Sequence, residues 1–285
     1  MKLAAATPYA SPRRKPGPIA QLWLLVTKVG SWVPAFAGMT VMGVGAAATP
    51  SRIVSLNLCT DEYLLLTART GQIASISRLG ADVQESPLAS RAHGLKTNPG
   101  RLSEVIGQQP DLVLTMGHDP QASALAGRLG IRLVALPYPT SPAQVVAQMR
   151  QVAGIVGNAP AGEAFARDVA MLGASAPPAQ PGLVIGGSGL APAMDGLAAS
   201  WLRLAGIKQM RGGQISLEQL LVQPPPILIR NVYRRGQVSG PQAWSQHSAL
   251  RRLPSRQVEA DGRALLCSGA AMPAEITRLK KALAA

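Results

Sequence analysis

Few side chains in this chain could do chemistry, and they sit in short polar turns. Cys59, Thr60, Asp61 and Glu62 follow the apolar run Ile53-Val54-Ser55-Leu56. His118 and Asp119 end a second run, Asp111-Leu112-Val113-Leu114-Thr115-Met116-Gly117. Ser188 lies among Gly186, Gly187 and Gly189. A thiol at Cys59 with His118 as its base is one conceivable nucleophile, but neither an orienting partner nor an oxyanion hole is identifiable. The residue types favour a structural reading, in which Thr60 or Asp61 caps the following helix and Cys59 lines a cleft or is bonded. Ser188 fails the Gly-x-Ser-x-Gly elbow, because Leu190 stands where the last glycine belongs. A loop that lets a ligand approach the backbone explains the glycines better.

The three histidines, His93, His118 and His247, would have to converge from distant segments to make up three or four metal ligands. No protein-bound metal or cofactor is expected, and no catalytic residue is assigned. Arg78, Arg234 and Arg235 follow apolar runs, and guanidinium groups there can grip carboxylate or catecholate oxygens in a bidentate manner. Tyr138 and Trp244 could supply apolar walls. Cys59 and Cys267 are the two cysteines, and no Cys-x-x-Cys pair exists, which excludes a zinc ribbon or a thioredoxin-type motif. They form either one disulfide in an oxidising compartment or two small buried thiols.

The elements that would position these residues alternate between strand and helix. Strands are expected at 53–58, 73–77, 111–115 and 132–136, with helices at 61–69, 102–108 and 121–129 and an irregular polar stretch at 80–100. This alternation implies a parallel sheet covered by helices. Ser141-Pro142 opens a helix, with Val145, Met149, Val152 and Val156 on one face. A second helix spans 161–172. Beyond a Pro-rich tract come strands at 183–185, 227–229 and 264–267, and helices at 197–206, 217–222, 247–253 and 273–284. The expected fold class is α/β, with two Rossmann-like lobes joined by a helix and a ligand cleft between them. The N-terminal lobe is placed at 49–140, the connecting helices at 141–180 and the C-terminal lobe at 181–285.

The net charge is +14, and five of the positive charges (Lys2, Arg13, Arg14, Lys15, Lys28) precede residue 50, which leaves 14 − 5 = +9 for the remainder. The basic residues are scattered, with no basic helix or aromatic-lined motif, so nucleic acid is not the expected partner. Residues 1–48 combine a basic Pro-rich part, a small apolar run and an Ala-rich end, the parts of a secretory signal. Pro34, Gly38, Gly43 and Gly45 interrupt the run, and Pro-Gly-Pro after Arg13-Arg14-Lys15 argues against a twin-arginine signal. The stretch from Arg13 to Thr40 also resembles a translated genomic repeat. These residues are expected to lie outside the folded domain.

Several motifs, in order, resemble the class III periplasmic solute-binding proteins of cobalamin and ferric-siderophore ABC importers. They are Ser55-Leu56-Asn57-Leu58-Cys59-Thr60-Asp61-Glu62, Pro110-Asp111-Leu112-Val113-Leu114, and Gly130-Ile131-Arg132-Leu133-Val134. Ile215-Ser216-Leu217-Glu218, His247-Ser248-Ala249-Leu250 and Leu265-Leu266-Cys267-Ser268-Gly269 follow. The resemblance implies a non-enzymatic, periplasmic, monomeric binding protein. It would capture a corrinoid or ferric-siderophore-type chelate and deliver it to a membrane permease. The implied ligand-binding residues are Asn57, Leu58, Cys59, Thr60, Arg78, Gly117, His118, Gly187, Ser188, Tyr233, Arg234, Trp244 and Cys267. The family docks on its permease through one glutamate per lobe. Glu218 matches the second; at the first, Pro99 and Ser103 replace a usual His and Glu, and Glu104 remains. The connection between lobes in that family is a single stiff helix; about 14 residues here would cover roughly 21 Å. The rival readings are an enzyme of the same architecture using Cys59 and His118, and a degenerate paralogue.

Overall fold

Ile53, Val54, Leu112, Val113 and Leu114 are all fully buried, and short apolar runs covered on both faces are what a parallel sheet requires. The computed structural model describes residues 48–234, 240, 244 and 247–285, with only the backbone of Ser188. The expectations for the N-terminal 47 residues and for Arg235 lie outside the described residues. β1 (Ile53–Ser55), β2 (Ile73–Ser77), β3 (Thr97–Asn98), β4 (Leu112–Met116) and β5 (Arg132–Leu136) form one sheet in the order β3-β2-β1-β4-β5, and every pairing is parallel. Its crossovers include α1 (Leu58–Thr67), α2 (Arg78–Ala81) and α3 (Pro120–Leu129).

α4 (Pro142–Ile155) and α5 (Ala159–Ala174) follow as a hairpin. Ser141 caps α4 by accepting from the Gln144 amide, with Pro142 in the first turn. The two helices approach closely at Gly162, where a Cβ would come 2.9 Å from the Arg150 Cα. The segment 141–180, expected to hold the connecting helices, thus contains two helices packed on each other. α5 alone, at 16 residues, spans about 24 Å.

The second sheet, in the order β11-β10-β6-β8, contains β6 (Gln180–Ile185), β8 (Ile207–Gln209), β10 (Ile227–Val232) and β11 (Arg256–Asp261), again all parallel. A short antiparallel pair, β7 (Leu190–Ala191) and β9 (Gly213–Gln214), lies beside it. The helices here are α6 (Leu197–Leu204), α7 (Leu217–Val222), α8 (Ser248–Arg251), α9 (Gly262–Cys267) and α10 (Met272–Ala284).

Alternation along the strands builds three cores. Val54 and Val113 face Leu102, Val105, Ala122 and Ala126. Leu183, Ile185 and Leu228 face Leu220, Leu250 and Leu253. The opposite faces of both sheets, through Ile53, Leu112, Leu114, Val184 and Ile229, share one continuous core with Tyr63, Met149, Phe165, Trp201 and Leu279. The lobes thus have separate sheets but a common apolar interior.

Three sequence expectations are corrected. The stretch 264–267 is helical, within α9. The last strand is β11, whose only buried positions are Val258 and Ala260; so weak an alternation is easily lost beside Leu265-Leu266. The first strand ends at Ser55, before 58. The cap of α1 is Asn57, whose Oδ1 accepts from the Thr60 amide at 3.1 Å, and not Thr60 or Asp61.

Candidate functional site

In a wholly parallel sheet every strand's C-terminal end lies on one edge, and ligands bind there, where the strand order reverses. In the first sheet the reversal lies between β1 and β4. Asn57 follows β1, Gly117 and His118 follow β4, and Asn57 Nδ2 donates to Thr115 Oγ1 across the gap at 3.3 Å. In the second sheet it lies between β6 and β10, flanked by Gly186-Gly187 and Tyr233-Arg234.

Contacts between the lobes show that these two edges face each other. Cys59, at the start of α1, is disulfide-bonded to Cys267, at the end of α9, with Cα atoms 5.4 Å apart. Glu62 Oε2 accepts from the Ala271 amide at 3.0 Å. Arg263 Nη1 donates to the Val83 carbonyl at 2.7 Å. Tyr233 and Arg234 both donate to the Glu85 carboxylate. Each link joins a segment that follows a strand's C-terminus, or the helix started there, to its counterpart in the other lobe.

The sequence-derived site residues divide into three groups. Asn57, Cys59, Gly117, His118, Gly187, Tyr233, Arg234 and Cys267 lie at the facing edges. Arg78 is exposed at the start of α2, and His118 is exposed. Leu58 and Thr60 are buried; the Thr60 hydroxyl bonds to Ser55 Oγ and to Asn57, and shapes the turn beneath the cleft. Trp244 packs on the core behind the second sheet edge. Its ring lies against Gly189 (φ +77°), where a Cβ would come 2.7 Å from it. Ser188 lies in the turn Gly187–Gly189. With Cys59 bonded, no thiol remains to act with His118. No group of three or more metal-ligating side chains occurs among the described residues.

The same edges carry apolar side chains in contact with water. Leu79 and Val83 follow β2, Tyr138 follows β5, Leu190 and Met194 follow β6, and Met210 follows β8; Tyr138 is 72% exposed. Gly117 (φ +77°) admits the Tyr138 ring, 2.8 Å from where a Cβ would stand. A cavity of about 200 Å³ opens between the lobes beside Arg234, Arg263, Asp261 and Val83. Burial works against ionisation of Asp261, but hydrogen bonds from the Arg263 side chain and amide outweigh it, and its carboxyl stays below the usual range.

Beneath the cleft lie two adjacent acids, Asp61 and Glu62, both fully buried. Burial raises Asp61 to about 7, against hydrogen bonds from Ser55 and Ser77. Burial also raises Glu62 to about 8, opposed by the Ala271 amide and reinforced by Asp61. Glu62 Oε1 has no hydrogen-bond partner among the described residues. The buried environment was signalled by Tyr63-Leu64-Leu65 in the same helix. For Glu85, inside the irregular polar stretch, the sequence carried no signal. Glu104 and Glu218 are exposed, one on each lobe. The α7 amide of Glu218 itself and the Ser216 hydroxyl hold the Glu218 carboxyl below its ordinary value.

No protein-family model matches the chain, and no curated protein matches it by sequence. Solved structures do match. The apo form of the periplasmic heme-binding protein RhuT from Roseiflexus sp. RS-1 superposes with a TM-score of 0.63 at 18% identity, covering 82% of this chain and 97% of that one. A periplasmic heme-binding protein from Pseudomonas aeruginosa gives 0.59 at 17%, covering 82% and 92%. The periplasmic vitamin B12-binding protein BtuF of Vibrio cholerae gives 0.59 at 16%, covering 83% and 97%. The expected two-lobed α/β fold is the one found, and it is the fold of these periplasmic binding proteins. No helix among the described residues is long and apolar enough to cross a membrane.

Proposed function

We propose that the protein is the substrate-binding component of an ABC importer. It captures a metal chelate of corrinoid, tetrapyrrole or ferric-siderophore type between its lobes. The observation that carries this reading is the pairing of two facing sheet edges with the exposed side chains of Leu79, Tyr138, Leu190, Met194 and Met210. Apolar walls with a few convergent polar groups are the usual composition of a small-molecule site. The guanidinium groups of Arg78 and Arg234 supply the polar part, suited to carboxylate or catecholate oxygens.

The chemistry is capture and release, with no covalent step. Location in the periplasm agrees with the interlobe disulfide, which an oxidising compartment maintains. Glu104 and Glu218, one exposed acid per lobe, are the docking points for cationic groups on the permease. Calorimetric titration with hemin, cobalamin and a panel of ferric chelates tests the reading. Saturable one-to-one binding of at least one chelate is the expected result; heat of dilution alone for every one of them overturns it.

A further inference from the structure

The Glu85 carboxylate belongs to the first lobe, yet both its oxygens are engaged by the second. Arg234 Nη2 donates to Oε1 and the Tyr233 hydroxyl to Oε2. The Glu85 side chain is only 4% exposed, and a carboxylate so far from water needs paired donors. Arg234 is held in the left-handed region (φ +52°), with its guanidinium over the Tyr233 ring at 5.6 Å. Positive φ in a non-glycine residue persists only where its surroundings enforce it. The two donors follow β10, at the order reversal of the second sheet, where a ligand is expected to sit.

Glu85 comes from a short turn between α2 and β3. It belongs to neither helix nor strand. Its turn is closed locally, by the Glu85 and Ser86 amides on the Asp82 carbonyl and the Gln84 amide on the Asp82 carboxylate. Among the described residues, the neighbouring tie to the other lobe is the bond from Arg263 Nη1 to the Val83 carbonyl. The cavity beside Arg234 gives a second carboxylate room to enter.

We propose that Glu85 is a built-in competitor, occupying a carboxylate site formed by Tyr233 and Arg234 until a carboxylate on the ligand displaces it. The proposal rests on the chelate-capture reading and narrows it to chelates that carry free carboxylates. A ligand without one leaves the Glu85 pair intact and forgoes the contacts of Tyr233 and Arg234, and is bound more weakly on that ground. Displacement also loosens the 82–86 turn, which then keeps the Arg263–Val83 bond to the second lobe.

Three probes test this on the full chain: hemin, its dimethyl ester, and metal-free citrate. Glu85→Gln is expected to bind hemin and citrate about tenfold or more tightly than the wild type, since a charge-assisted pair no longer has to be broken first. The diester, lacking free carboxylates, should bind both proteins alike. Arg234→Gln, a second variant that leaves Glu85 in the chain, should bind hemin and its diester equally. In the wild type, hydrogen exchange at 82–86 should rise when hemin binds, the reverse of ordinary ligand protection. Equal citrate affinity in wild type and Glu85→Gln overturns the proposal, as does an equal gain for hemin and its diester. If hemin, cobalamin and every ferric chelate of the calorimetric panel bind to no form while citrate still gains in Glu85→Gln, the chelate reading falls and the competitor stands.

Discussion

Glu62 enters the fold as an acid that water cannot reach. In the unfolded chain it ionises near the ordinary glutamate value, whereas in the fold it keeps its proton up to about pH 8. Between those limits the folded state binds the extra proton, so this residue's contribution to stability falls as pH rises, by up to about 1.4 kcal/mol per pH unit. Asp61 acts in the same direction up to about pH 7. Tyr63, the next titratable group on α1, is pushed upward by burial and then by Glu62; the loop 268–271 packed on Glu62 has no titratable side chain. Glu62→Gln imitates the neutral form. Its stability should match the wild type near pH 4.5 and overtake it progressively towards pH 8. Urea denaturation of the two proteins across that range measures the difference, and a difference independent of pH contradicts the buried neutral acid. Gly117 makes a second prediction at this scale. Alanine there meets both the positive φ and the Tyr138 ring, and should destabilise by about 1–2 kcal/mol, read as a lower urea midpoint.

Among the elements, α1 does the most. Its cap, Asn57, closes the turn at the first sheet's order reversal. Its first turn carries Cys59 to the disulfide, and its fourth and fifth residues bring Asp61 to Ser77 and Glu62 to Ala271. Breaking the bond as Cys59→Ala with Cys267→Ala opens a sequence separation of 208 residues. The unfolded state gains freedom, and stability should drop by about 2–5 kcal/mol, read as a lower urea midpoint with the far-ultraviolet spectrum unchanged. A loss of helical signal would show that the bond organises the lobes and does not merely brace them. The elements also explain what the sequence disclosed. β4, α3, β5, α4 and α7 carry strong periodicity, caps or Pro in the first turn, and are legible. β3, β7, β8 and β9 have two or three residues each, too few for any period. β11 exposes alternate polar residues at a sheet edge and was masked by Leu265-Leu266. Of the site, the strand-end turns were visible through their polar residues. The partner of Tyr233 and Arg234 was not, because Glu85 lies 148 and 149 residues away in an irregular segment.

For the whole molecule, the question is how far the lobes can move. One apolar core runs from Ile53 and Leu114 through Tyr63, Met149 and Phe165 to Trp201, Val184 and Leu279, all buried. Tyr63 donates to Gln148 at 2.8 Å, tying α1 to α4; Lys280 donates to the Ser175 carbonyl at 2.6 Å, tying α10 to the end of α5. A hinge rotation of the kind seen in flexible two-lobe binders would shear this core and expose apolar surface at roughly 25 cal/mol per Å². The motion that remains is local, in the strand-end loops and the 82–86 turn. Small-angle scattering of the protein should therefore give nearly the same radius of gyration with and without a saturating chelate, while exchange rates in the cleft loops change. A contraction of several ångströms on binding would mean that the shared core divides into two, and that the lobes close as independent bodies.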